Sequence, residues 1–274
     1  MLGQSHRERQ PASLLRGHLS CVWIQQVAPD SIPYTHRSVP NGSVELFCEI
    51  GSVPQVVGPQ TGPRVETLAP GSTVVGVRFR PGAAPSVLGL PASELVDLTV
   101  GAQELWGAAS VALGEKVASA ATPQEAAAVL ERAVFGRLPD AADPDPLVAE
   151  AVQQLLPWRA GDVGSLTSSL YISERQLRRR CHDAIGLAPK ALHRLLRFQG
   201  FLALVQGHHG TGRELAALAA EAGYADQPHL TRECLRLAGI SPRAFLREID
   251  ENCGSHDHAP SHAPLLRWRA QRAA

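Results

Sequence analysis

The sequence predicts an α+β protein: an N-terminal β-rich barrel or sandwich with short helices, then an all-α domain of two helix-turn-helix units joined by a long helix. Three observations carry this. Period-two alternation runs through residues 18–80, helical patterning follows, and two similar capped helices appear late, SERQLRRRC from Ser173 and DQPHLTREC from Asp226.

At 274 residues the chain is long enough for two domains. Its 44% hydrophobic and 19% charged content is that of a globular protein, and it has no apolar run long enough to cross a bilayer, so no membrane partner is expected. The N-terminus, MLGQSHRERQPASLL, lacks the continuous apolar segment of a secretory signal, which points to the cytoplasm. Five cysteines, at positions 21, 48, 181, 234 and 253, are odd in number and form no CxxC pair, so reduced thiols are expected. The formal charge is +0, spread as −3 over residues 1–144 (10 Lys/Arg, 13 Asp/Glu), +2 over 145–250 (13 and 11) and +1 over the tail (3 and 2). So mild an asymmetry does not by itself announce a nucleic-acid partner.

In the first half, His18 to Val27 is β-branched and aromatic, and Ser43 to Gly51 alternates as a half-buried strand should. Pro40-Asn41-Gly42 between them is a turn, because Asn-Gly accepts positive φ. Arg64 to Leu68 and Ser72 to Arg80 are two further strands, separated by Ala69-Pro70-Gly71 and ended by Pro81-Gly82. The interior of such a small antiparallel barrel or sandwich could hold a ligand. After Pro81 come short helical pieces, GAAPSVLGL, ELVDL and QELWGAASVAL. An amphipathic helix follows, capped by Thr122 with Pro123 at its first position and Glu125 completing a capping box. The domains are then 1–138, a proline- and aspartate-rich linker at 139–146, 147–250, and a flexible tail at 251–274.

Arg78 and Arg80 alternate with Val77 and Phe79 and so share a strand face, where they could bind an anionic effector if that face is internal. His18, His36, Cys21 and Cys48 are too scattered to read as a metal site. No G-x-S-x-G elbow, P-loop or H-E-x-x-H is present. Neither a catalytic residue nor a cofactor nor a metal is therefore expected. The segments PNGSVEL at Pro40, VGPQTG at Val57, GVRFRPGAA at Gly76 and ELWG at Glu104 resemble the N-terminal domain found ahead of many actinobacterial AraC/XylS-type regulators. That resemblance supports the boundary and the architecture, and implies no particular ligand.

In the second half, Leu147, Val148, Ala151, Val152 and Leu155 form one face of a core helix. VGSLTSSL and the turn Tyr171-Ile172 lead to Ser173, which with Gln176 makes a capping box for the next helix. There Leu177, Cys181 and Ile185 face inward, leaving Glu174, Arg175, Arg178, Arg179 and His182 outside. The three arginines sit at i, i+3 and i+4 as one cationic stripe, and arginine pairs bidentately with guanine O6 and N7. Gly186 ends the helix and Pro189 opens a long one whose apolar set is Leu192, Leu195, Leu196, Leu202 and Val205. Gly207-His208-His209-Gly210 breaks it. The logic then repeats: a short Ala/Leu helix, Gly223 in the turn, and a second reading helix with Leu230, Cys234 and Leu237 inward. Gln227, His229, Arg232 and Arg236 face outward, Gly239 ends that helix, and Ser241-Pro242 starts the last one.

The segment AGYADQPHLTRECLRLAGISPRAF is similar to the signature of the AraC/XylS family, with Tyr224, Leu230, Gly239, Ile240 and Pro242 at its positions. Gly186, Pro189 and Arg197 match the first unit and the linking helix, so the resemblance spans Leu147 to Ile249. It implies a sequence-specific regulator of transcription that binds double-stranded DNA, with Arg175, Arg178, Arg179 and His182 contacting it from the first unit and Gln227, His229 and Arg232 from the second. It further implies a small-molecule effector in the N-terminal domain, RNA polymerase as a partner, a homodimer and an activator. Two units on one rigid helix would enter successive major grooves about 34 Å apart. An enzyme-like N-terminal domain fused to a DNA-binding domain is the alternative.

The chain departs from the family pattern at Cys181 and Cys234, where a large apolar residue is usual, at Tyr171 in place of a turn glycine, at Gly200 inside the linking helix, and at Pro228. Cys181 and Cys234 lie on the inward faces of the reading helices, where a thiol is packing before it is a redox sensor. In the tail, Cys253, His256, His258 and His262 read as a flexible end rather than a metal site. Arg267, Arg269 and Arg272 could add phosphate contacts or dock the tail on the protein.

Overall fold

The computed structural model describes residues 3–140, 143–159, 163–207 and 214–252, together with Leu265. Its first part contains eight strands: β1 (Gln4–Arg9), β2 (Leu19–Val27), β3 (Tyr34–Ser38), β4 (Glu45–Glu49), β5 (Gln55–Val57), β6 (Arg64–Leu68), β7 (Thr73–Phe79) and β8 (Thr99–Gly101). Six of them form an antiparallel sheet in the order β1-β2-β7-β4-β5-β8, and β3 pairs with β6 in a separate two-stranded sheet. The arrangement is a sandwich rather than a closed barrel, with β1 and β8 as the edges of the larger sheet.

Because side chains alternate along a strand, the six-stranded sheet has two chemically different faces. Val22, Leu46, Cys48, Val56, Val75, Val77 and Phe79 form the apolar face. It packs on α1 (Ala84–Leu88), α2 (Ala102–Trp106), α3 (Ala108–Ala118) and α4 (Pro123–Phe135) through residues such as Val87, Trp106, Val117 and Leu130. Thr122 caps α4 as expected, its hydroxyl accepting from the Glu125 amide at 3.2 Å. The expected helix over QELWGAASVAL is broken in two at Gly107, whose φ of +56° takes it out of helical geometry.

The opposite face carries rows fixed by the strand register. Glu8, Trp23, Gly76, Phe47 and Gln55 form one row; His6, Gln25, Val74 and Glu49 form the next; Arg78, Glu45 and Val57 lie beside them. Gly76 is required there, since a Cβ would stand 2.3 Å from the Trp23 ring.

The second part is all helix: α5 (Pro146–Gln154), α6 (Val163–Ser169), α7 (Glu174–Ile185), α8 (Pro189–Gly207), α9 (Leu215–Glu221), α10 (Gln227–Ala238) and α11 (Pro242–Asn252). One core joins them, and it includes Val148, Leu155, Leu177, Cys181, Ile185, Leu230, Cys234 and Leu237 as the periodicity requires. Ser173 and Gln176 complete their capping box, Ser173 Oγ accepting at 3.3 Å and Gln176 Oε1 accepting from the Ser173 amide at 3.0 Å. Both α7 and α10 end on left-handed glycines, Gly186 at φ +77° and Gly239 at φ +75°. Gly200 lies within the long helix α8, which runs through it unbroken. It admits Pro157, whose Cγ would lie 2.7 Å from an added Cβ, and Trp158 of that turn donates its indole N–H to the Glu221 carbonyl at 2.7 Å. The expected break at His208-His209-Gly210 falls outside the described residues. No described helix is long and apolar enough to cross a membrane.

The two parts touch at the C-terminal ends of α7 and α10. Val96, Ala92 and Pro59 crowd Gly186 at the end of α7, and Pro63 crowds Gly239 at the end of α10. Between them, Gln199 of α8 donates to the Pro40 carbonyl at 2.9 Å.

Candidate functional site

α7 presents four arginines, which the fold divides. Arg180 is spent on structure, its Nη1 2.5 Å from Asp145 Oδ2; the same carboxylate group caps α5 by accepting from the Leu147 amide at 2.9 Å through Oδ1. Arg175, Arg178 and Arg179 are exposed and have no ion pair among the described residues. His182, one turn further on, is also exposed and has the Asp183 carboxylate 3.9 Å from Nδ1. The stripe expected from spacing therefore exists as a free cationic surface on the helix that follows the turn.

α10 is built differently. Asp226 caps it, accepting from the His229 amide at 2.6 Å. Gln227 is half-buried at its start and accepts from the Thr231 hydroxyl at 2.9 Å through its carbonyl. His229 is half-buried too, its ring edge-on to Tyr224 at 5.2 Å and 89°. Tyr224 in turn lies under the Arg197 guanidinium at 5.7 Å, and burial pushes its hydroxyl well above the usual tyrosine range. Arg232 and Arg236 stand exposed.

Glu233 faces inward and forms a two-pronged pair with Arg194 of α8, one arm measuring 3.0 Å. Burial alone would raise the Glu233 carboxyl. The hydrogen bond and charge of Arg194, with Arg236 and His229, outweigh that and hold it below the usual range.

A cavity of about 430 Å³ lies between the polar face of the large sheet, the β3/β6 ribbon, and α8 and α11. That volume is ample for a small organic ligand. Arg78 lines it, with Nε 2.7 Å from Glu45 and Nη1 3.1 Å from Glu8. Burial opposes the Arg78 charge, but the two carboxylates keep it firmly protonated. Arg80, expected on the same face, lies past the end of β7 and is not among the residues around the cavity; its Nε donates to the Arg16 carbonyl at 2.6 Å.

Sequence reasoning missed most of the cavity floor. His6, Glu8 and Gln25 line it and are buried polar residues, with buried Gln4 beside them: His6 Nδ1 is 3.2 Å from Gln25 Oε1, and Gln25 donates to Gln4 at 3.1 Å. The available signal was an inverted one, a strand with alternation but no apolar side chain.

Cys21, Cys48, Cys181 and Cys234 are buried and in no disulfide among the described residues. Burial, with Asp145 adding to it, pushes Cys181 up to about 11; burial pushes Cys234 up to about 12 against the opposing charge of Arg37. Among the described residues no three His, Cys, Asp or Glu side chains converge on a metal-sized site. Cys253, His256, His258, His262, Arg267, Arg269 and Arg272 lie outside the described residues.

Comparisons with known proteins match two separate stretches of the chain. Residues 7–101 match the model of a domain of unknown function, DUF6597, and residues 166–248 match that of a helix-turn-helix domain. A search of curated proteins found no match. Solved structures similar to the chain include ToxT of Vibrio cholerae: an apo variant at 12% identity and TM-score 0.46, covering 87% of this chain and 99% of that one. A 1.65 Å ToxT structure has 9% identity and TM-score 0.43, with 82% and 97% covered. ToxT bound to an unsaturated fatty acid has 11% identity and TM-score 0.42, with 89% and 94% covered. Likenesses of that size say nothing about ligand or activity.

Proposed function

We propose that the chain, whose residues 166–248 match a helix-turn-helix domain, is a DNA-binding transcription regulator of the AraC/XylS type, with a division of labour between two unequal readers and one ligand cavity. Arg175, Arg178 and Arg179, with His182, contact bases and phosphates from α7. Arg232 does so from α10, with Gln227 and His229 at the edge of that contact. The observation that carries this is the pair of capped helices, each following a turn and each exposing arginines that have no ion pair among the described residues. Exposed guanidinium groups on a helix that fits a major groove are suited to both guanine edges and phosphate.

The cavity holds a small-molecule effector. Its walls support that reading, because α8 and α11 of the DNA-binding domain close a space that opens on the polar face of the sheet. An occupant would therefore touch both domains at once. The same reading has the regulator act in the cytoplasm, as a dimer and an activator that meets RNA polymerase at the promoter. Footprinting of the full-length protein on its own upstream DNA, with and without small-molecule cell extract, tests it. Protection of two adjacent major-groove segments that changes with extract is expected; no protection, or protection indifferent to extract, overturns the DNA or the effector half respectively.

A further inference from the structure

We propose that the cavity is a receptor for an organic cation with an apolar or aromatic body. This rests on the effector reading of the same cavity and adds the chemical class. The sheet face that forms its floor carries Glu8, Glu45 and Glu49 against one guanidinium, Arg78, a balance of −2 with histidine neutral. Arg78 is engaged by two of those carboxylates, so an incoming anion would have to displace Glu8 or Glu45 and would still meet Glu49. The ribbon and α11 do not restore the balance, since Arg64 is paired with Glu66 and Arg37 with Glu248. Glu49 has no ion pair among the described residues.

The walls suit a cation of this kind. Trp23 and Phe47 stand in the central row of the floor, and aromatic faces attract positive charge. The site already uses that attraction internally, with the Arg64 guanidinium 5.7 Å from the Phe47 ring centre. The carboxylates are spread along two strands, β1 and β4, and do not converge on one point, which favours a molecule with an extended body over a metal ion.

Calorimetric titration of the full-length protein at pH 8 with a matched pair of probes tests the class. The pair is 1-naphthylmethyl-trimethylammonium and 1-naphthaleneacetate, similar in size and opposite in charge. The cation should bind tighter by roughly tenfold or more. In Glu45→Gln/Glu49→Gln, which brings the floor to zero charge, the two affinities should fall within about twofold of each other. Glu49→Gln alone removes a carboxylate with no ion pair and should narrow the preference with an unchanged melting curve, so the test survives if the double variant does not fold. Equal binding, preference for the acetate, or no binding of the cation overturns the proposal. The effector reading itself falls separately, only if the footprint ignores cell extract.

Discussion

Arg37 on the β3/β6 ribbon holds Glu248 on the last helix, with Nε 3.0 and 3.1 Å from the two carboxylate oxygens. Its Nη1 donates at 2.9 Å to the carbonyl of Ala238, the final residue of α10. One side chain thus lines the cavity, ties the two domains together and caps the carbonyl end of α10, where a cation is favoured by the helix dipole.

Arg37→Ala is therefore expected to cost about 1–3 kcal/mol of stability, because it leaves a half-buried carboxylate and a helix-end carbonyl without their donor. Urea unfolding checks the size. The same variant should lose extract dependence in the footprint while still protecting DNA; retained dependence would show that the tie is not part of the coupling.

Arg178→Ala should weaken specific operator binding by ~1–3 kcal/mol at fixed salt and leave the melting temperature alone, as befits an exposed side chain with no ion pair among the described residues. Arg180→Ala should do the reverse, since its partner is Asp145 at the start of α5. Equal effects of the two on DNA affinity would refute the division of the four arginines.

Tyr171 occupies the first turn with φ +53° and is 94% exposed, so it has strain and little packing to offset it. Tyr171→Gly should stabilise the protein by about 1 kcal/mol, the usual cost of a left-handed residue with a side chain. Calorimetric melting decides the sign.

The Arg194–Glu233 pair predicts an acid limb. Glu233 is held below its unfolded carboxyl value, so its contribution is fully present above the ordinary carboxylate range and is lost as pH falls through the depressed folded value. The stability gap between wild type and Arg194→Met should accordingly be widest near neutrality and close on acidification. A gap that is independent of pH in urea titrations from neutral to strongly acidic conditions would contradict this.

Cys181 and Cys234, buried and pushed up to about 11 and about 12, should resist iodoacetamide at pH 8 in the native protein and react only after unfolding. Peptide mass spectrometry at those two sites reads this directly. DNA binding should likewise ignore mild peroxide treatment.

Much of the chain was legible where burial and polarity agree. The strands at His18–Val27, Ser43–Gly51, Arg64–Leu68 and Ser72–Arg80 and the capped helices at Thr122, Ser173 and Asp226 follow from alternation, helical spacing and cap chemistry, and each appears with shifts of a few residues at most. β1 was not legible, because QSHRER buries Gln4, His6 and Glu8, the last two against the cavity, and contains no apolar residue to betray an inner face. β5 and β8, three residues each, are held by their neighbours rather than by propensity. At the readers, spacing identified Arg175, Arg178 and Arg179 as an outward stripe but said nothing of Arg180, whose role depends on an aspartate 35 residues away. Nor could it show that His229 lies against Tyr224, a contact made only when the turn folds back.

Two of the elements that close the cavity, α8 and α11, belong to the half of the molecule that reads DNA. Linkage then runs in both directions: whatever factor an occupant imposes on operator affinity, the operator must impose on the occupant. Seen from the ligand, the promoter is the allosteric effector, and the protein would take up or release its small molecule according to whether it is on DNA.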